Sequence, residues 1–160
     1  RRLATAPVEA LVIGALTERG DLDEDLLRGL VAVSGGRRLV FHRAFDLVPE
    51  PVAARQRLGA LGFARILTSG AAPSAVEGAA ALRTWSEVPG PRLVAAGGVR
   101  ASNVSLLPSP AKVDLHASAR SPGAAFTAAH RGPFLGGAPE RGIDPDEIAA
   151  LASQLREALE

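Results

Sequence analysis

Hydrophobic residues along the chain gather into five short runs, at 10–16, 38–45, 64–68, 92–96 and 112–117, parted by longer stretches of mixed character. The runs centre near Ile13, Val40, Ile66, Val94 and Leu115, so successive centres lie 27, 26, 28 and 21 residues apart. Most consist of Val, Ile, Leu and Ala with little strict alternation, the pattern of a strand covered on both faces. The intervening stretches read as helices. Asp23 is placed to cap one carrying Leu26, Leu27, Leu30 and Val31, which Ser34-Gly35-Gly36 stops. Pro51 suits the first turn of the next, with Val52, Leu58 and Leu61 on its apolar face and Gly62 at its end. Ser74 can cap a third that runs to about Trp85, ahead of Pro89-Gly90-Pro91. The fourth connection, 101–107, is cut short by Pro108 and Pro110 and has room for one or two turns.

After the fifth run the rhythm fails. Residues 121–142 are rich in Gly, Pro and Ala without a period, which predicts a loop. The last segment recovers. Asp144, Pro145 and Glu147 form a capping-box-like start, and Ile148, Leu151, Leu155 and Leu159 then share one helical face. The expected organisation is a single domain, with strand–helix units over 1–119, an irregular segment over 120–143 and a terminal helix over 144–160.

Strands alternating with helices at this spacing predict a parallel sheet with right-handed crossovers. An open doubly wound sheet and an arc of a (β/α)8 barrel both satisfy that pattern. Polar and glycine residues collect at the end of one run after another: His42 and Arg43 with Asp46, Thr68-Ser69-Gly70, Gly97-Gly98 with Arg100, and His116 with Ser118. Barrels gather functional groups from several strand ends, whereas a doubly wound sheet concentrates them at one switch point. The expected fold is therefore α/β, a partial (β/α)8 barrel of five parallel strands with helices outside.

Composition narrows the function. Eighteen basic and 17 acidic residues leave a net charge of +1, so no uniform field favours nucleic acid or an anionic membrane. Lys112 is the sole lysine among the cations, which reads as codon bias. No apolar run approaches the ~20 residues of a bilayer crossing, and no signal-peptide pattern opens the chain, so a cytoplasmic location is expected. The chain contains no cysteine and no methionine. Disulfides, thiolate chemistry and the soft ligands that select Cu(I) are thereby excluded. The missing methionine also predicts that Arg1 is not the start of translation and that the chain was processed, trimmed or copied from part of a gene.

The strand ends carry the candidate chemistry. Alternation would send His42 and Ala44 to one side of a strand and Phe41, Arg43 and Phe45 to the other, unless the strand bulges. A buried charge there needs a partner, and Asp46 is near enough to be one. His42, Arg43 and Asp46 read either as a general acid/base with an anion clamp or as a structural ion pair beside a hydrogen-bonded histidine. Thr68, Ser69, Gly70, Gly97, Gly98 and Arg100 suit a phosphate or carboxylate, or plain turn chemistry. His116 could reach the same mouth as His42, and the two imidazoles would begin a metal site that lacks a visible third ligand. His130 reads as a solvated residue.

The segments 39–46, 61–70, 96–100 with Asn103, and 115–119 together resemble the CutC family, and 12–16 followed by 20–23 is similar to that family's fourth strand and turn. The resemblance spans roughly Leu11 to Ala119. It implies a cytoplasmic TIM barrel assigned to copper homeostasis and copper binding. It further implies that the five strands are the family's fourth to eighth, with 1–7 a remnant of the preceding helix. Three strands with cysteine-containing segments would then be missing. Ala117 departs from the family's His-Ser-Ser-Ala-like segment, and 124–142 matches no family pattern.

Three readings follow. The first is a copper-homeostasis protein whose copper ligands here would be His42 and His116. The second is a barrel enzyme acting on a small phosphorylated or carboxylated substrate, with His42 as acid/base and Arg43 or Arg100 neutralising charge. The third is an inactive scaffold. Five parallel strands leave two open edges, which predicts self-association through a second copy.

Overall fold

A computed structural model describes residues 8–122 and 141–158. Within them the strands are β1 (Ala10–Ile13), β2 (Arg38–Phe41), β3 (Phe63–Thr68), β4 (Arg92–Ala96), β5 (Asp114–His116), β6 (Arg120–Pro122) and β7 (Arg141–Ile143). The α-helices are α1 (Glu24–Val33), α2 (Pro51–Ala60), α3 (Ala79–Ser86) and α4 (Pro145–Glu157). β1 to β5 form one parallel sheet in sequential order, β1-β2-β3-β4-β5. No reversal of strand order occurs in this sheet, so it has no switch point, and the barrel-type arrangement is the one observed.

The two faces of the sheet differ. Leu39, Phe41, Phe63, Ile66, Leu93, Ala95 and Val113 join Leu27, Leu58, Leu82 and Trp85 in the core between sheet and helices. The other face carries a row in register: Val12 beside Val40, Val40 beside Arg65, Arg65 beside Arg92, then Val94 beside Asp114 and Ala96 beside His116. A register shift between Leu39 and Val40 leaves Ala64 as an extra, exposed residue in β3. This bulge lets Phe63 and Ile66, three apart, both face the core while Arg65 joins the opposite face.

Several expectations need correction. The run at 38–45 is a strand only to Phe41; a 3-10 turn takes over at Arg43–Leu47. His42 and Arg43 therefore do not alternate across a strand. Ser74 does not cap α3. It caps a separate turn, accepting from the Glu77 amide (3.2 Å) and donating to its carboxylate (2.7 Å), and α3 begins only at Ala79. On α2 the inward face is Ala54, Arg55 and Leu58, while Val52 is exposed. In α1, Leu27 is fully buried and Leu26 is half exposed.

The segment expected to be irregular is regular at its two ends. Arg120–Pro122 pairs antiparallel with Arg141–Ile143. Such a long-range ribbon leaves no periodicity for a sequence to show. The rest of that segment, His130, residues 1–7 and Leu159 lie outside the described residues.

Arg55 is the unexpected core residue. It is 5% exposed, and its guanidinium donates to the carbonyls of Pro91 (2.9 Å), Trp85 (2.6 Å), Val88 and Gly90, gathering the turn between α3 and β4. Burial alone pulls its pKa below the ordinary guanidinium value. α4 starts as its sequence predicts: Asp144 caps the amides of Asp146 and Glu147, with Pro145 in the first turn. Glu147 does not reach back to the cap. Its carboxylate instead accepts from the Ala101 amide at 2.8 Å, tying α4 to the loop after β4.

Candidate active site

The site is built at the C-terminal ends of the strands. β2 stops at Phe41; His42 is still extended and caps the 3-10 turn that Arg43–Leu47 closes. Phe45, fully buried, anchors that turn by edge-on contacts with Phe41 (6.4 Å) and Trp85 (6.0 Å). With three residues per turn, positions 43 and 46 fall on the same side. Arg43 Nε accordingly donates to Asp46 Oδ2 at 2.9 Å.

Asp46, its side chain 10% exposed, organises the end of the neighbouring strand. It accepts from the Thr68 hydroxyl (2.6 Å), the Ser69 amide (2.9 Å) and the Ala71 amide (3.1 Å). The Ser69 hydroxyl lies 3.0 Å from the same carboxylate, with the Ala72 carbonyl as its alternative acceptor. The protein's own carboxylate thus occupies the glycine turn after β3. Thr68 and Ser69 are fully buried and face Asp46 rather than solvent.

Gly70, at φ +77°, donates to Thr68 Oγ1 at 2.9 Å and packs against Gly78. A Cβ on Gly70 would lie 2.5 Å from the Gly78 carbonyl, and one on Gly78 would overlap Ser69 O. The two glycines let backbone approach backbone, which holds the turn in place. Gly78 is a contributor the sequence reading missed, because its partners Ser69 and Gly70, nine and eight positions earlier, are joined to it by no turn motif.

Arg43 faces the opening. Its Nη2 donates to Ser69 Oγ at 2.7 Å, and its guanidinium lies over Gly97, where a Cβ would come within 3.0 Å of Nη1. The side chain is nevertheless 44% exposed. Nη1 has no hydrogen-bond partner among the described residues, so a held cation presents open donors at the rim. Gly97 (φ +104°) and Gly98 (φ +72°) turn the chain after β4, a conformation favouring glycine. Asn103 fastens that loop, accepting from the Arg100 amide and donating to the Gly98 carbonyl, each at 2.9 Å. The Arg100 guanidinium is directed to the Arg120 carbonyl.

His42 sits beside this group. Its amide donates to the Ile13 carbonyl at 3.1 Å, and its Nδ1 accepts from the Ala44 amide at 3.2 Å. His116 ends β5, exposed, on the same sheet face as Asp114 and opposite Ala96. His42 and His116 share one rim, yet β3 and β4 stand between their strands. Three strand steps amount to ~14 Å along the sheet, too far for one metal ion. Among the described residues no group of three or more His, Asp or Glu side chains is placed to hold a metal. This donor set does not fit copper.

A second charged group lies at the opposite, N-terminal end of the same face. Asp114 accepts from Arg65 Nε at 2.7 Å and from Arg92 Nε, while Arg92 also donates to the Pro110 carbonyl at 2.7 Å. Partial burial acts to raise the Asp114 pKa, but the hydrogen bonds and charges of the two arginines outweigh it and hold the carboxyl below its ordinary value. Charged residues inside three successive apolar runs, Arg65, Arg92 and Asp114, were the available signal for this cluster.

Known proteins agree with this architecture. A sequence model of the CutC family matches residues 1–121. The family protein CutC of Chromobacterium violaceum is 39% identical over 96% of this chain and 64% of its own length. The human copper homeostasis protein cutC homolog is 40% identical over 71% of this chain and 42% of its own. A crystal structure of a CutC protein from Streptococcus agalactiae superposes with a TM-score of 0.61 at 29% identity, covering 68% of this chain and 55% of that one. The chain therefore spans between about two fifths and two thirds of the length of these relatives.

Proposed function

This chain belongs to the CutC family, and from that premise we propose that it acts in copper homeostasis through a barrel rim that binds a small phosphorylated or carboxylated ligand. The copper role rests on the names carried by relatives such as the human homolog. The chain's own residues supply neither the thiolates nor the thioethers that hold Cu(I). What they supply is an anchored cation. The observation that carries the reading is Arg43, fixed by Asp46 and Ser69 over Gly97 while almost half exposed. A guanidinium whose rotamer is already fixed loses little entropy on binding an oxyanion, and its open Nη donors suit phosphate or carboxylate.

A second reading, an enzyme working on that same ligand, is favoured by His42 on the same rim. Arg43 would neutralise substrate charge and His42 would move a proton at a neighbouring oxygen. The whole family fold, of which the chain covers a part, would supply the remaining loops.

Inorganic phosphate is the direct probe. In a thermal titration the wild-type chain is expected to gain about 3–6 °C in Tm at ten times the Kd, corresponding to ~1.4 kcal/mol. Arg43→Ala should abolish the gain and Arg43→Lys should keep a fraction of it. An equal gain in Arg43→Ala, or no gain in the wild type, would reject the rim as an anion site.

A further inference from the structure

Gly14 has no local reason to be glycine. It follows β1, its φ lies outside the left-handed region, and no tight turn is made there. Its reason is across the sheet. A Cβ on Gly14 would stand 2.6 Å from His42 Cε1, 2.8 Å from Nδ1 and 3.0 Å from Nε2. The bare backbone of one strand end is thus the floor on which the imidazole of the next lies. Phe41 holds the ring from its own strand, at 5.4 Å between centroids.

The seat also decides which nitrogen carries the proton. Nδ1 accepts from the Ala44 amide. An amide can only donate, so Nδ1 must present a lone pair, and in the neutral ring the hydrogen then resides on Nε2. Every buried side-chain polar atom among the described residues has a partner. Nε2 has no partner among the described residues and is not a fully buried atom, so it is accessible at the rim. Metal-bound histidines show the reverse arrangement, their second nitrogen donating to an acceptor while the first gives its lone pair to the ion.

We propose that Gly14 and the Ala44 amide hold His42 as a fixed Nε2–H hydrogen-bond donor, available to an oxygen atom of the rim ligand and closed to copper. Gly14 is a positioning residue in this arrangement. The assignment builds on the anion reading of the rim, but its geometry can be measured with no ligand present.

The test uses the 15N-labelled chain. A through-hydrogen-bond nitrogen–nitrogen coupling between the Ala44 amide and His42 Nδ1 is expected in the wild type and should vanish in Gly14→Ala. Anaerobic addition of equimolar Cu(I) should leave the His42 ring resonances in place. Stability supplies a second readout if Gly14→Ala folds poorly. Gly14→Ala is expected to lower Tm by about 4 °C or more beside His42 and by about 1 °C in a His42→Ala background, since the three atoms nearest the added Cβ all belong to the ring. Absence of the coupling in the wild type, movement of the ring signals by Cu(I), or an equal Tm loss in both backgrounds would overturn the assignment. If phosphate fails to bind while the coupling and the cycle come out as expected, the anion reading falls and the fixed tautomer stands.

Discussion

The rim between β2 and β4 and the terminal unit of β5 with α4 are built on different principles. The first is stitched by polar groups: Asp46 gathers Arg43, Thr68, Ser69 and Ala71, and the Gly70–Gly78 approach closes the turn beneath. The second rests on apolar contact that is incomplete. Leu151 is buried, but Ile148 is half exposed, and among the described residues an open groove of about 240 Å³ lies between α4 and Val99, Leu115, Ala117 and Ala119. The cross-element hydrogen bonds of α4 gather at the start of the helix, where the Ala101 amide donates to Glu147 and the Asp144 amide donates to the Ala119 carbonyl, each at 2.8 Å. Directional bonds specify one geometry for a site, whereas loose apolar packing provides attachment with less definition.

The sharpest way to break this contrast is Asp46→Ala. Removing the carboxylate strands the buried Thr68 hydroxyl and Ser69 amide and releases Arg43, so a cost of about 4 kcal/mol is expected in urea unfolding. Loss of phosphate stabilisation should accompany it. A cost below ~1 kcal/mol would show that the stitching is dispensable.

Leu151→Ala addresses the other region. It should cost about 2 kcal/mol, toward the low end for a buried leucine, because α4 already borders a gap and can settle. Hydrogen exchange is expected to speed up in α4 while β3 keeps its protection, as befits a separately opening unit. Uniform acceleration across both would join the two regions into one cooperative block.

The smallest effect concerns Asp114, which bridges the regions from the other end of the sheet. Its folded carboxyl holds its proton less tightly than the unfolded one, which titrates near ~3.9. Below that value the unfolded state binds more protons. The contribution is therefore complete above it and is lost as pH falls through the depressed folded pKa. Asp114→Asn should cost about 1 kcal/mol at pH 7, a modest figure because all three charged groups are about a third exposed, and nothing at the acid end. A pH-independent difference would contradict the ion-pair account.

Much of the fold was legible along the chain. The five parallel strands, the start of α4 at Asp144-Pro145 and the short turn before β5 all follow from periodicity and caps, which act within a few residues. Glycine and hydroxyl residues at strand ends marked the rim. Their individual duties were not legible. Thr68 and Ser69 read either as an anion site or as turn chemistry, and the structure turns both toward Asp46, 22 and 23 positions earlier. Arg55 carried no local signal of its place in the core.

The sequence by itself determined where the five parallel strands lie and where α4 begins, the end of each strand at which polar groups collect, and the absence of soft metal ligands. Only the tertiary structure decided that Gly14 faces His42, that Gly78 faces Ser69 and that Asp114 is shared by two arginines. Local order arises from interactions within one turn or one pleat. These pairings depend on strand register and on close backbone approach between segments nine or more positions apart, which no pattern within one turn or pleat encodes.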